Sequence, residues 1–194
     1  TIVVANHSEG TLVEIDPATG AQFPVAGLFS GPPEIGSFVR DAAVNPRGTA
    51  LGFLPTLGVV SWGALRQVVR NTFDTTGSLL ASFPSPYDPH IGLFVAARDP
   101  GTNDPVDYYV ATDSIPAILR YDGASGTMTL FRDYGDVDSI HGLDVSTVDP
   151  FLLVASFRGE ACPGDENGVA LIGEASTRLL VDGAHGCPGP VALD

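Results

Sequence analysis

The phrase Glu14-Ile15-Asp16-Pro17-Ala18-Thr19-Gly20 decides the fold, because it returns at nearly even spacing along the chain. Its later copies are Thr72-Phe73-Asp74-Thr75-Thr76-Gly77, Arg120-Tyr121-Asp122-Gly123-Ala124-Ser125-Gly126 and, in degraded form, Leu171-Ile172-Gly173-Glu174-Ala175-Ser176-Thr177. Each copy predicts a β-strand that ends in Asp and a tight turn that is closed by Gly. The aligned positions are roughly 50 residues apart, a period typical of β-propeller blades.

The composition favours an all-β chain with many turns. The 194 residues are 44% hydrophobic, which is enough to bury one substantial core. The 23 Gly and 16 Pro residues fall between apolar runs of strand length. None of these runs approaches the ~18 to 20 apolar residues of a membrane-spanning helix. We therefore expect a four-bladed β-propeller of four-stranded antiparallel blades, without membrane insertion.

The repeat also predicts where the blades lie within a single domain, residues 1–194. The blades cover roughly residues 1–27 plus 189–194, 40–83, 91–132 and 141–182. Residues 1–6 align with the second strand of the other blades, and residues 190–193 align with the first. We therefore expect the C-terminal strand to complete the first blade and close the ring, which removes exposed sheet edges.

The second blade fits the repeat least well. Its second strand is predicted at residues 47–53 and its third near residues 68–74. Between them we expect an excursion over residues 54–65, which contains Trp62, the single Trp of the chain. An insertion of this kind usually maps to a loop on one face of a repeat protein.

Two pairs of phrases carry a resemblance to a known family. Val3-Val4-Ala5-Asn6 followed by residues 11–20, and Tyr109-Val110-Ala111-Thr112-Asp113 followed by residues 118–123, resemble NHL-type and gluconolactonase-like bacterial propeller repeats. The resemblance covers three blades. It implies either a lactonase or lyase with a metal in the central channel, or a repeat protein without activity. Those families typically have six blades, whereas this chain provides four.

The charge balance excludes two classes of partner. Asp and Glu number 23 against nine basic residues, all of them Arg, so the net charge is −14. No basic patch can be assembled to neutralise nucleic-acid phosphates or to bind an anionic membrane. The acidity favours solubility and divalent cations, although Asp is also the commonest residue of turns.

Three features indicate a secreted protein or an extracellular surface. Cys162 and Cys187 are each followed by Pro-Gly, which predicts one disulfide in an oxidising compartment; two free thiols are the alternative. Asn6-His7-Ser8 makes Asn6 a candidate glycosylation site. The chain begins at Thr1 with a predicted strand and no leader segment, so we expect a processed chain or the ordered part of a longer one.

Metal candidates lie near the predicted channel. His90, His141 and His185 each lie just before a predicted first strand, so their imidazoles could bind one metal in the channel. Alignment of the strands places them at different depths along the channel, so the alternative is that they are ordinary loop histidines. Acidic loops at residues 99–107 and 133–138 provide several oxygen atoms, as a structural calcium site requires. No other cofactor is expected. The candidate metal ligands are His141, Asp144, Asp136 and Asp138.

These patterns favour a non-enzymatic module that binds or assembles. The repeats are regular, no catalytic residue set converges, and a terminal strand could be added to a neighbouring subunit to build a filament. The expected partners are other protein subunits, further copies of the chain, or glycans. The alternatives are a metal-dependent lactonase or lyase, and a carbohydrate-binding module that stacks sugars on Trp62, Tyr87 or Tyr134.

Overall fold

The computed structural model describes residues 2–6, 11–26, 41–44, 56–61, 64–69, 78–87, 92–100, 105–112, 115–135, 139–146, 151–158, 168–173 and 176–182, with Val191 and Leu193. All regular secondary structure within these ranges is β-strand. No helix that could cross a membrane occurs among the described residues. The prediction of an all-β fold is confirmed.

The described strands form four antiparallel sheets, each a meander of strands that are consecutive in the chain. The first sheet contains β1 (Ile2–Asn6), β2 (Thr11–Ile15) and β3 (Gln22–Ala26). The second contains β4 (Asp41–Val44), β5 (Thr56–Ser61), β6 (Ala64–Val69) and β7 (Ser78–Ser82). The third contains β8 (Gly92–Arg98), β9 (Asp107–Thr112), β10 (Ala117–Asp122) and β11 (Thr127–Asp133). The fourth contains β12 (Ser139–Val145), β13 (Leu153–Arg158), β14 (Gly168–Ile172) and β15 (Thr177–Asp182).

The repeated Asp turn has the same geometry in the first and third sheets. The N–H groups of Gly20 and Gly126 donate to the carbonyl oxygens of Asp16 and Asp122, each at 2.8 Å. In both turns the Asp Oδ1 accepts the backbone N–H two residues later, at 2.9 Å. Gly20 and Gly126 have φ angles of 71° and 69°, a conformation that strongly favours glycine. The phrase therefore encodes its own hairpin.

Each sheet also has a register shift between its last two strands. In the first sheet the shift lies between Leu12 and Val13, and in the third between Ile118 and Leu119. Both positions are at the same distance before the Asp of the turn, so β2 corresponds to β10 and β1 corresponds to β9. Among the described strands, the first sheet therefore has no counterpart of β8.

The two described core clusters lie on opposite faces of the third sheet. One cluster joins this sheet to β6, β7 and the residues that follow, and the other joins it to the fourth sheet. Along β9, Tyr108 and Val110 belong to the first cluster, whereas Tyr109 and Ala111 belong to the second. Side chains alternate between the faces of a strand, and both faces of β9 are buried, so the run of large and apolar side chains at residues 108–111 is continuous rather than alternating.

Neighbouring sheets contact each other mainly through their early strands. β4 contacts β1, β8 contacts β4 and β5, and β12 contacts β8 and β9. Each first strand therefore lies against the early strands of the preceding sheet. The first sheet therefore contacts the second, the second contacts the third, and the third contacts the fourth.

The second sheet corrects one prediction. The expected excursion over residues 54–65 is wrong, because residues 56–61 form β5 and β6 begins at Ala64. The apolar run Leu57-Gly58-Val59-Val60 pairs with β4 on one side and β6 on the other, which satisfies its backbone hydrogen-bonding groups. Trp62 and the whole of the strand predicted at residues 47–53 lie outside the described residues.

Candidate functional site

Asp144 connects the fourth sheet to the end of the chain. It lies in β12, where its backbone is paired with Val154 of β13. Its half-buried carboxylate accepts two backbone hydrogen bonds: Oδ1 from the N–H of Val145 and Oδ2 from the N–H of Leu193, both at 2.8 Å. Charge-assisted bonds of this kind are stronger than bonds between neutral groups. The carboxylate therefore holds residue 193 against β12.

The strand predicted at residues 190–193 is not found at Val191 and Leu193, the two of its residues that the structure describes. Both are half-buried and belong to no strand. The Leu193 N–H donates to a side-chain carboxylate rather than to a backbone carbonyl of a ladder. Leu193 therefore lies beside the first strand of the fourth sheet.

The first sheet exposes apolar side chains on one face. Ile2 is 52% exposed and Val4 is 41% exposed, whereas their counterparts in β9, Tyr108 and Val110, are 2% and 0% exposed. Tyr108 and Val110 belong to the core cluster that joins the third sheet to the second, so the difference lies in the covering of a sheet face by a neighbouring sheet. In the described part of the chain, β1 pairs with β2 alone.

The predicted metal ligands fall into two groups. His141 and Asp144 both lie in β12; His141 is the extra residue at a register shift between Ile140 and Gly142. Asp136 and Asp138 lie outside the described residues, as do His90 and His185. In the ranges that the structure describes, no group of three or more His, Cys, Asp or Glu side chains could hold a metal ion. The Asp144 carboxylate instead binds backbone N–H groups.

Asp107 has a structural role that its place in the acidic loop did not indicate. Its buried carboxylate accepts a bond from Arg120 Nη2 at 2.8 Å through Oδ2, and from the Gly123 N–H at 2.9 Å through Oδ1. A Cβ on Gly123 would lie 2.5 Å from the carbonyl oxygens of Pro105 and Val106. Asp107 thus joins β9 to the repeated turn after β10, and both of its oxygen atoms are already bonded.

The aromatic residues proposed as sugar-stacking platforms are largely inside the protein. Tyr87 is buried within the core cluster between the second and third sheets, so its proposed role as an exposed platform is wrong. The half-buried Tyr134 packs against Phe157, with ring centroids 4.6 Å apart. Burial raises the pKa of the Tyr134 hydroxyl to about 12. Trp62 lies outside the described residues.

A cluster of three rings joins the third and fourth sheets and was missed by the sequence reasoning. The centroids of Tyr109, Phe131 and Phe151 are 5.3 to 5.7 Å apart. The guanidinium groups of Arg98 and Arg132 lie over the rings of Phe151 and Phe131, at 5.2 and 4.6 Å from their centroids. Tyr109, Phe131 and Phe151 are far apart in the sequence, so a local pattern carries no signal for the packing of their rings. These contacts stabilise the packing of the two sheets.

The predicted glycosylation site and the predicted disulfide depend on the sequence alone. Asn6 is the last residue of β1, and its side chain is not among those described. Cys162 and Cys187 lie outside the described residues, so the disulfide stays a prediction from the sequence.

No protein-family model and no curated protein matches this chain. The resemblance to NHL-type and gluconolactonase-like repeats therefore depends on the repeated phrases themselves.

Proposed function

We propose that the chain is a four-bladed β-propeller module that acts by binding or assembly, without catalysis. The four meanders are the blades, and the segment that contains Val191 and Leu193 closes the ring between the last blade and the first. The observation that carries this proposal is the bond from the Leu193 N–H to Asp144 Oδ2, which holds that segment at the first strand of the last sheet. In a closed ring, this position lies next to the first blade.

The repeated geometry supports a ring of equivalent blades. The Asp turn is the same in the first and third sheets, and a register shift occurs before the last strand of each sheet. The contacts of β4 with β1, β8 with β4, and β12 with β8 follow the order expected around a propeller. In the part of the chain that the structure describes, the first sheet has one strand fewer than the others, on the side that would face the centre of the ring.

The chemistry of the described inner strands favours binding over catalysis. The Asp144 carboxylate is hydrogen-bonded to two backbone N–H groups, and the Asp107 carboxylate is bonded to Arg120 and Gly123. Both acids therefore serve the fold. A lactonase or lyase would need Asp144 as a ligand of a metal on the ring axis, and in that position it would have to release Leu193.

The proposed setting is outside the cell. The net charge of −14 suits a soluble acidic module that does not bind nucleic acid. The predicted disulfide between Cys162 and Cys187 and the predicted glycosylation of Asn6 both require a secretory or otherwise oxidising environment. The proposed partners are protein subunits, including further copies of the chain.

Nuclear magnetic resonance on the uniformly ¹³C,¹⁵N-labelled full chain tests the fold in this proposal. We expect cross-strand nuclear Overhauser effects between β1 and residues 190–194, together with slow exchange of the β1 amide protons on that side. Signals that place residues 190–194 away from β1, with rapid exchange of those amides, would contradict the closed ring.

Metal analysis of the purified full chain tests the absence of catalysis. We expect no stoichiometric Ca²⁺ or Zn²⁺, and no change in metal content on Asp144→Ala or His141→Ala. A bound metal that is lost in either variant, together with a lactonase or lyase activity, would favour the enzyme instead.

A further inference from the structure

We infer that β7, the last strand of the second sheet, pairs with β7 of a second copy about a two-fold axis and joins two chains into a dimer. This inference rests on the proposed function in that the chain acts by assembly, and it goes further by identifying the surface and the partner. β7 is the last strand of its sheet whether or not the ring closes, so the two proposals can fail separately.

The last strand of each sheet has an open side. β3, β7, β11 and β15 each lie at one end of their sheet and pair with a single strand in the described part of the chain. The backbone groups on such an edge can pair with a strand of another chain, so proteins usually protect the edge with Pro or with charged side chains.

β7 lacks this protection. The other three last strands each contain Pro or charged residues: Pro24 in β3, Arg132 and Asp133 in β11, and Arg178 and Asp182 in β15. β7 reads Ser78-Leu79-Leu80-Ala81-Ser82, with neither Pro nor a charge. The register shift beside the last strand is common to all four sheets, so it does not distinguish β7 from the others.

The charge of the whole chain makes this edge the most favourable one for contact between copies. A net charge of −14 causes copies of the chain to repel each other. An edge without charged side chains adds least to that repulsion, and it requires no charged group to lose its water. Among the last strands that the structure describes, β7 has this property.

β7 also exposes a large apolar side chain. Leu79 is 53% exposed, whereas Leu80 and Ala81 pack against the core cluster between the second and third sheets. Leu130 has the equivalent position in β11, because each of the two leucines pairs with the first residue after the register shift, and it is 45% exposed. The third sheet is covered on both faces, so a neighbouring sheet does not bury this position.

A second copy fits this edge because the edge is complementary to itself. Two antiparallel β7 strands related by a two-fold axis at Leu79 place the two Leu79 side chains directly opposite each other, roughly 5 Å apart at Cβ. The two open sides then satisfy each other's backbone groups, and both exposed leucines lose contact with water. Because the same surface of both copies is used, the contact closes with two chains and produces a dimer.

Charge substitutions of Leu79 in the full-length chain test the inference by complementation. Leu79→Lys and Leu79→Glu each place two like charges opposite each other in a homodimer, which destabilises the strand pair. An equimolar mixture of the two variants places opposite charges there instead. Leu130→Lys and Leu130→Glu are the matched controls, because they make the same change of charge at the equivalent position of β11.

Folding of each variant is checked first. Both leucines are exposed, so we expect circular dichroism and the unfolding midpoint of dilute samples to stay close to those of the wild type. If a charged variant of Leu79 does not fold, Leu79→Thr replaces it, since Thr is polar and suits an exposed strand. Leu79→Thr alone should also weaken the dimer, because it removes most of the apolar contact.

Analytical ultracentrifugation then measures the dissociation constant of the dimer. We expect the wild type and both Leu130 variants to dimerise equally, and each Leu79 variant alone to dimerise more weakly by about tenfold or more. The mixture of Leu79→Lys and Leu79→Glu should recover the dimer, and native mass spectrometry with one variant ¹⁵N-labelled should show a 1:1 heterodimer. A monomeric wild type, Leu79 variants that dimerise like the wild type, or Leu130 variants that weaken the dimer as much would overturn the inference.

The outcome is separable from the fate of the proposed fold. If the wild type is monomeric but shows contacts between β1 and residues 190–194, the closed ring is supported and only the dimer is lost. If substitution of Leu79 removes a dimer whose chains lack those contacts, the dimer is supported and the closed ring is lost.

Discussion

The first and third sheets share a local sequence pattern but differ in their surroundings. Both contain the Asp turn with Gly at a φ near 70°, and both have the same register shift before it. The third sheet is covered on both faces and has a strand on each side of β9. The first sheet has one strand fewer within the described ranges, and its Ile2 and Val4 side chains are exposed.

This difference separates what a repeat encodes locally from what its neighbours provide. The hydrogen bonds of the turn lie within a few residues of the chain, so each copy can form them without help. Burial of the strands depends on the adjacent sheets, and most of the stability of such an element comes from that burial. We therefore expect equal substitutions in the two sheets to have unequal effects.

The largest contrast is expected for the equivalent valines in β9 and β1. Val110→Ala removes fully buried methyl groups and leaves a cavity, so we expect it to lower the free energy of unfolding by about 2 to 3 kcal/mol. Val4→Ala acts at an exposed position and should change it by less than about 0.5 kcal/mol in the monomer. Urea denaturation of dilute samples measures both values. Equal losses would show that the two sheets are buried alike.

The glycines of the two turns give a second contrast. Gly123→Ala places a Cβ 2.5 Å from two backbone carbonyl oxygens, and we expect a loss of about 2 kcal/mol or more because the turn must move. A Cβ on Gly20 would have no atom within 4 Å, so Gly20→Ala should lower the free energy of unfolding by about 1 kcal/mol, mainly because Ala disfavours a positive φ. Thermal unfolding of the two variants checks the order. A larger effect at Gly20 would contradict the close packing of the third turn.

The local part of this architecture could be predicted from the sequence, and the non-local part could not. The bounds of β3 and β10 follow from the apolar runs on either side of the repeated turn. The bond between Asp107 and Arg120 depends on the register of a hairpin, and the bond between Leu193 and Asp144 joins residues 49 positions apart. A sequence pattern alone does not show which residues of two strands pair, or which distant residues come into contact.

The second sheet was mispredicted for a related reason. Its Asp phrase at residues 72–77 suggested a third strand close to it, whereas β6 ends at Val69. The repeated phrase alone places the apolar residues of β5 in an insertion, because it does not locate a strand at residues 56–61. The pairing of β5 with both β4 and β6, which only the assembled sheet reveals, settles their role.

A smaller effect is expected at the bond between Asp107 and the turn of the third sheet. Asp107→Asn keeps the size of the side chain but removes its charge, which weakens the bonds to Arg120 and to the Gly123 N–H. We expect the free energy of unfolding to fall by about 1 kcal/mol. The effect is smaller than for a fully buried ion pair, because the Arg120 side chain is 38% exposed and water screens its charge. Arg120→Gln is the companion substitution. If Asp107→Asn costs less free energy of unfolding in the Arg120→Gln background than in the wild type, the two side chains act together. Equal costs in both backgrounds would contradict the pairing.

The smallest effect is expected in the exposed turn of the first sheet, and it concerns titration. The pKa of Asp16 lies below its usual value because the Thr19 hydroxyl and the Ala18 N–H donate hydrogen bonds to the carboxylate, the former at 2.7 Å. Thr19→Ala should raise the pKa of Asp16 toward the usual value, and Thr19→Ser should leave it low. Carbon-detected magnetic resonance of the Asp16 carboxyl across acidic pH measures this shift.

The sign of the accompanying stability change follows from the same pKa. Because the pKa of Asp16 is lower in the folded chain than in the unfolded chain, its contribution is fully present above the unfolded value and is lost as the pH falls through the folded value. Thr19→Ala should therefore lower stability near neutral pH, and this difference from the wild type should disappear in strong acid.

The turn of the third sheet provides the matched control. The backbone N–H of Ser125 donates to Asp122 Oδ1 at 3.1 Å, while the Ser125 hydroxyl contacts the hydroxyl of Thr127. Ser125→Ala keeps that N–H, so we expect no comparable pH-dependent change in stability, and a change equal to that of Thr19→Ala would contradict the distinction between the two turns.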